Sequence, residues 1–250
     1  MRILIAGDTH GSLPWTLHLL DKAVEFECDA MFVLGDFGFW PRHGDGRDFL
    51  YKLEHQLKKH EMDLWWLDGN HEDHDELDKL VEKYREMGAI PYSNHIAYTP
   101  RGYGWNWGGL NFVALGGATS IDVDLRTPGK TWFPQEGITD DDVTRAISRG
   151  RADILLAHDI PVGTTLPIRP PVRFSNESRT RLKEIEDLSR GNRIKVQEVA
   201  EQLGVSRIYH GHHHISYRSD IKIGEKWVKL EGLACHGMNG SWTILDTESM

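Results

Sequence analysis

The sequence predicts an α/β layered fold, and three observations carry that prediction. Short apolar runs rich in branched residues recur along the chain, helical patterns separate most of them, and Gly, Asp or Asn follows many of the runs. Strands that alternate with helices return by crossovers, so parallel pairing is expected in at least part of the sheet.

The strands are read at 2–6 (RILIA), 30–34 (AMFVL), 63–67 (DLWWL), 111–115 (NFVAL), 152–157 (ADILLA) and 206–210 (SRIYH). After the first, Leu13, Leu17, Leu20 and Val24 form an apolar stripe, with Ser12 and Pro14 placed to start a helix. Residues 47–60, 75–87, 139–149 and 194–203 carry comparable helical spacing. Toward the C-terminus the pattern changes to strands without helices (ISYRSDI, KWVKLEG, SWTILDT), which predicts a second, more antiparallel sheet. Residues 116–137 and a segment beginning at 160 read as long loops, and loops of that length in a compact domain are usually functional or mobile. With no internal repeat and no linker-like boundary, a single domain over residues 1–250 is expected.

Composition narrows the function classes. Hydrophobic residues make up 39% and charged residues 27%, ordinary for a soluble globular chain. No apolar stretch approaches the roughly 18 residues that span a bilayer, and the apolar start is too short for a signal peptide. Cys28 and Cys235 are the only cysteines, too few for a disulfide framework or a cysteine-rich zinc module, so a reducing cytoplasm is expected. A net charge of −9 excludes general attraction to nucleic acid or anionic membrane. Residues 164–195 depart locally, with eight Lys/Arg against four Asp/Glu.

The chemistry lies in the residues just past the strands. GDTHG gives Asp8 and His10, GD gives Asp36, DGNHED gives Asn70 and His71, HD gives His158, and GHHH gives His212 and His214. Any one of these is weak, since turns favour Asp, Asn and Gly. Turn chemistry does not place histidine at several separate strand ends. In open α/β sheets, sites form beyond the carboxyl ends of strands, so the five tips are expected to converge on a metal site. Gly7, Gly35, Gly69 and Gly211 each precede a candidate ligand, where the chain must turn sharply or approach a neighbour closely.

These blocks, Asp8-Thr9-His10, Gly35-Asp36, Gly69-Asn70-His71, His158 and Gly211-His212-His213-His214, resemble in order the signature of the calcineurin-like metallophosphoesterase superfamily. The resemblance implies a four-layer α/β/β/α sandwich with two mixed β-sheets and two divalent metal ions at the strand tips. Asp8, His10, Asp36 and His214 would then bind the first ion, and Asp36, Asn70, His158 and His212 the second, with Asp36 bridging. His71 would be the catalytic histidine, stabilising the transition state or protonating the leaving oxygen. On an extended segment side chains alternate, so His213 is expected to point away from His212 and His214, and His210 to be structural. Mixed N/O ligation suits Mn first, with Fe, Zn, Co or Ni as alternatives, and argues against Mg or Ca alone. Two such ions about 3.5–4 Å apart would lower the pKa of water to about 7, supplying a metal-bound hydroxide and neutralising phosphoryl charge.

Departures from the protein-phosphatase members of the superfamily bear on substrate. Phe39 stands where their second Asp orients the catalytic histidine, and Asp68 where their Arg grips phosphate. A carboxylate at 68 is expected to repel a dianionic monoester more than a monoanionic diester. That favours a phosphodiesterase, with 2′,3′- or 3′,5′-cyclic nucleotides as the best substrate assignment. A nuclease acting on DNA or RNA is the alternative within the same chemistry, and a non-catalytic interaction module the alternative outside it. Of nine tryptophans, Trp65 and Trp66 read as core, while GYGWNWGG (102–109) and KTWFPQEG (130–137) read as loop. Trp132 is a candidate to stack on a base, and Arg169 and Arg173 are candidate substrate contacts.

Overall fold

A computed structural model describes residues 1–84, 88–166 and 176–249. Its strands are β1 (Arg2–Ala6), β2 (Ala30–Leu34), β3 (Leu64–Leu67), β4 (Ile90–Pro91), β5 (Ile96–Tyr98), β6 (Gly104–Trp107), β7 (Leu110–Leu115), β8 (Ile154–Ala157), β9 (Arg207–His210), β10 (Tyr217–Ile223), β11 (Lys226–Gly232) and β12 (Trp242–Asp246). The α-helices are α1 (Leu13–Glu25), α2 (Gly44–Lys59), α3 (His74–Lys83), α4 (Asp140–Ile147) and α5 (Asn176–Leu203). Two six-stranded sheets form, ordered β12-β1-β2-β3-β5-β4 and β10-β11-β9-β8-β7-β6. Each has a parallel centre and antiparallel margins.

Burial follows from the layering. β2 is buried at every position and β8 likewise, as expected for parallel strands covered on both faces. Leu4, Met31 and Trp66 pack under α1 and α2 (Leu19, Ala23, Leu53, Leu57) on one outer face. Ile5, Phe32, Phe112 and Leu156 fill the seam between the sheets. Val113, Leu155 and Ile208 pack under α4 and α5 on the other outer face. The result is a four-layer α/β/β/α sandwich. Helix starts obey local chemistry: Asp73 caps α3 by accepting from the Glu76 amide, and Thr139 with Asp142 forms a reciprocal capping box on α4.

The C-terminal strands differ from their sequence reading. They build no sheet of their own. β12 pairs antiparallel with β1 (Ala6↔Trp242) on the first sheet. β10 and β11 extend the second, β11 lying parallel to β9 (Leu230↔Ile208). Strands added at the margins of two existing sheets carry the same alternation as a separate antiparallel sheet, so pattern alone does not distinguish them. The 102–109 segment, read as loop, contains β6, whose Trp105 stacks on Phe32 and Phe112 in the seam while Trp107 meets both edge-on. Helix α5 begins well before residue 194, because its first half is too polar to leave an apolar stripe. Among the described residues, no helix is long and apolar enough to cross a membrane.

Candidate metal centre

The candidate ligands lie just past the carboxyl ends of β1, β2, β3, β8 and β9, and the two sheets bring these ends to one place. Four of them, His10, Asp36, His212 and His214, hold a left-handed backbone (φ 47°, 47°, 64° and 55°). Such φ values are uncommon for non-glycine residues and persist where surrounding structure over-determines them. The 211–216 segment is therefore not extended, and the alternation expected across His212, His213 and His214 does not operate. His213 instead turns to Asp159, its Nε2 3.1 Å from Oδ1, with its ring 4.8 Å from that of His212. Two of the glycines that precede ligands serve close approach. A Cβ at Gly69 would meet Asp36 Oδ1 and His158 Nε2, and one at Gly211 would meet Asp8 Oδ1.

Asp8, His10, Asp36 and His214 form one group, with one donor atom from each lying within 4.8 Å of the others. His214 Nε2 is 2.9 Å from Asp8 Oδ2 and 3.2 Å from His10 Nε2. His10 Nε2 is 3.8 Å from Asp8 Oδ2, and His10 Nδ1 is 3.8 Å from Asp36 Oδ2. The other oxygen of Asp36 faces the second group: Oδ1 lies 3.5 Å from His158 Nε2, which is 3.2 Å from Asn70 Oδ1. The His158 and His212 rings stand 5.0 Å apart. Asp36 thus touches both groups, one oxygen to each.

Outer contacts fix these donors. His158 Nδ1 donates to the Leu34 carbonyl at 2.6 Å, which turns Nε2 toward Asp36 and Asn70. Asn70 Nδ2 donates to Ser120 Oγ at 3.0 Å, which leaves Oδ1 facing His158. Ser120 is held in turn by buried Glu136 through its amide and hydroxyl (2.6 and 2.7 Å). Backbone amides serve the carboxylates, His212 N to Asp8 Oδ1 at 2.9 Å and His71 N to Asp36 Oδ1 at 2.7 Å. Glu72, fully buried, accepts from the Gly69 amide at 2.7 Å and the Gly38 amide at 3.3 Å, tying two tip loops together.

Electrostatics match a cation site. Burial alone would raise the carboxyls of Asp8 and Asp36, yet both are held below the usual range, Asp8 by His214, His158 and His10 and Asp36 by His158, His71 and His10. Burial drives His212 down to about 3, with His213 adding to it, so the ring is neutral at physiological pH. Two ring nitrogens 3.2 Å apart, one of them 2.9 Å from a carboxylate oxygen, make a compact donor cluster of the kind that holds a divalent cation. The carboxylate and imidazole donors of Asp8, His10, Asp36 and His214 fit one such ion, Asp36 Oδ1 leads on to His158 and Asn70, and the donors of His212 cluster with those of Asp159 and His213.

His71 lies beside the centre, its Nε2 4.0 Å from Asp36 Oδ2 and its ring 5.4 Å from His10, with the side chain 39% exposed. Its ring partner is Arg126, whose Nη2 donates to Nδ1 at 2.7 Å and also contacts Nε2. Burial, opposed by Asp36 and reinforced by Arg126, lowers the His71 imidazole below its usual range. Phe39 packs against Trp66 and Tyr92 in the core, so no carboxylate orients the ring from that position. Asp68 corrects the electrostatic expectation. It is 1% exposed and bound by Arg101 Nε and Nη2 at 2.9 and 2.6 Å and by the Tyr98 hydroxyl at 2.8 Å. Its charge is compensated inside the protein by Arg101.

Several participants were not visible in the sequence. Arg126, Ser120 and Glu136 come from the 116–137 segment, whose length was the only signal. His236 packs its exposed ring edge-on to His10 at 5.5 Å, and its amide donates to the Asp8 carbonyl at 2.8 Å. His210 is buried, accepts from the Tyr217 hydroxyl at 2.6 Å and donates to the Gly211 carbonyl, a packing arrangement. Trp132 is half-buried in the same segment as Arg126, its amide on the Thr127 carbonyl. Arg169 and Arg173 lie outside the described residues.

Comparison with known proteins agrees with this geometry. Among solved structures, the fold resembles a dimetal phosphatase from Danio rerio (TM-score 0.57, 14% identity, 94% of this chain and 87% of that one). It also resembles TT1561 of Thermus thermophilus (TM-score 0.51, 13% identity, 92% and 88%). At these identities the likeness is one of fold. No curated protein matches the sequence. The family model described as calcineurin-like phosphoesterase matches residues 1–216, most of the chain and every strand tip named above. The chain therefore belongs to the calcineurin-like phosphoesterase family, hydrolases of phosphoric esters.

Proposed function

We propose that this protein is a dinuclear-metal phosphodiesterase, one domain over residues 1–250, with cyclic nucleotides (2′,3′ or 3′,5′) as its substrate class. The observation that carries the reading is Asp36, with Oδ1 toward His158 and Oδ2 toward His10. Asp8, His10, Asp36 and His214 would hold one ion, and Asp36, Asn70, His158 and His212 the other. Manganese is the best match to this donor set, with Fe, Zn, Co and Ni next. When bound, two divalent ions lower the pKa of a coordinated water to about 7 and offset charge on the phosphoryl group.

The chain's own residues do the rest. Asp36 and Asp8, ionised and buried, would hold the ions, each carboxylate steadied by a backbone amide on Oδ1. His71, partly exposed beside the centre, is placed to stabilise the reacting phosphoryl group and to pass a proton to the leaving oxygen. Exposed apolar side chains flank the site in sequence, Leu125 next to Arg126 and Met238 two residues after His236. A diester carries an organic group on each side of phosphorus, and such residues suit it better than they suit a monoester. Trp132 is the candidate to stack on a base. Free Cys28 and Cys235 suit a cytoplasmic setting.

The test is a substrate panel on metal-reconstituted protein: both cyclic AMP isomers, bis-p-nitrophenyl phosphate, p-nitrophenyl phosphate, single-stranded RNA and DNA. Turnover of the diesters with cyclic nucleotides leading is expected. A higher kcat/KM for p-nitrophenyl phosphate than for its diester overturns the diesterase reading, and cleavage of RNA or DNA in preference to cyclic nucleotides makes the protein a nuclease.

A further inference from the structure

We infer that Arg126 is the residue that grips a non-bridging phosphoryl oxygen of the substrate, supplied by the 116–137 segment and not by a strand tip. The inference rests on the phosphoesterase chemistry assigned to His71 and the metal centre, and is independent of which ester is the natural substrate.

The position where phosphatase relatives carry a gripping arginine holds Asp68, which is locked to Arg101 inside the protein. The site still needs donors for the oxygens that the metal ions leave uncovered. Arg126 meets that need by another route. Its Nη2 end lies against both ring nitrogens of His71. Its Nη1 donates to the Asn70 and Thr131 carbonyls, both at 3.3 Å. Its Nε donates to Asp122 Oδ2 at 2.9 Å.

The arrangement distinguishes this arginine from a structural one. Arg101 is likewise buried, but two carboxylates face it, Asp68 and Asp142. Among the described residues, the one carboxylate paired with Arg126 is Asp122, which lies on the Nε side and is 40% exposed. At the inward end the partners are the His71 ring and a backbone carbonyl; buried Glu136 feels the charge, but among the described residues no carboxylate is paired with Nη2 where His71 faces the site. An anionic oxygen is the stronger acceptor and would displace the imidazole from Nη2.

The guanidinium is also held in place beforehand. Its side chain is only 6% exposed. The segment that carries it is fastened to the site by Ser120 on Asn70 and to helix α5 by the Asp124–Arg181 ion pair at 3.0 Å. Thr131 Oγ1 accepts from the Thr127 amide at 2.8 Å and closes the turn that comes after Arg126. A donor fixed this way needs little reorganisation when the substrate arrives.

The experiment compares wild type, Arg126→Ala and Arg126→Lys as full-length, manganese-reconstituted proteins. Inorganic phosphate binding is measured by isothermal titration, metal content by mass spectrometry, and kcat/KM on bis-p-nitrophenyl phosphate. Arg126→Ala is expected to keep the wild-type metal content, bind phosphate at least about ten-fold more weakly, and lose about 10²–10³-fold in kcat/KM. Arg126→Lys keeps the charge without the planar fork and should recover part of both. The phosphate titration needs no turnover, so it stays readable even if the diesterase reading fails. The inference is overturned if Arg126→Ala binds phosphate within two-fold of wild type, if it sheds metal in step with phosphate, which would make Arg126 a prop for Asn70, or if the metal-loaded wild type does not bind phosphate.

Discussion

Nε2 of His214 lies 2.9 Å from Oδ2 of Asp8, across 206 positions of sequence. The first strand tip of one sheet and the last strand tip of the other thus end on the same point, and the remaining candidate ligands fall in between. Because the two sheets converge there, ligand binding and catalysis should separate cleanly by residue.

His71 is the first test of that separation. It touches Asp36 only through its backbone amide and at 4.0 Å through its ring. His71→Ala is expected to keep wild-type metal content while kcat on a diester falls about 10²–10⁴-fold. Metal analysis and steady-state kinetics on the same preparation check it. Equal metal loss in His71→Ala and Asp8→Ala would remove the distinction.

Close approach gives a second test. A methyl group at residue 211 would occupy the space of Asp8 Oδ1, which also accepts the His212 amide. Gly211→Ala should therefore weaken metal binding by at least about ten-fold, with little change in far-ultraviolet circular dichroism. Competition with a fluorescent chelator reads the affinity, and an unchanged value would mean that the tip loops yield easily.

Asp68 and Arg101 form a buried pair away from the reaction. Asp68→Ala leaves the guanidinium short of a partner and should cost about 3–5 kcal/mol of stability, seen in urea unfolding. The ratio of diester to monoester kcat/KM, measured well below the transition, should stay within about two-fold of wild type. A swing toward the monoester would restore a substrate-facing role for this carboxylate.

The fold and the gathering of candidate ligands at the strand tips were largely legible because each signal is local. Asp8, Asp36, Asn70 and His158 stand within a few residues of an apolar run, and the strand before each can be read from its burial pattern. What was not legible depends on chain paths that no local pattern records. Arg101 meets Asp68 from 33 residues away and Arg126 meets His71 from 55. The left-handed backbone at His212 and His214 likewise follows from the loop packing against Asp8, which defeats an argument built on extended alternation.

His74 links the fold to pH. It is 3% exposed, its Nε2 has no partner among the described residues, and burial pushes its imidazole down to about 4, below an ordinary 6.5. Between those values the unfolded chain holds a proton that the folded chain does not, so stability is full above pH 6.5 and falls as pH drops toward 4. The loss is on the order of 3 kcal/mol at 1.36 kcal/mol per unit. In metal-free protein, His74→Gln should flatten the dependence of Tm on pH across this window. An unchanged slope would assign the acid sensitivity to other groups.

The most direct measurement is the metal stoichiometry of wild type and Asp36→Ala after reconstitution with manganese and removal of excess ion. Asp36 offers one oxygen to each half of the centre. Two ions per chain are expected in the wild type and fewer than one in Asp36→Ala. Wild-type protein that retains no stoichiometric metal, or an Asp36→Ala variant that still holds two, would contradict a shared-aspartate centre.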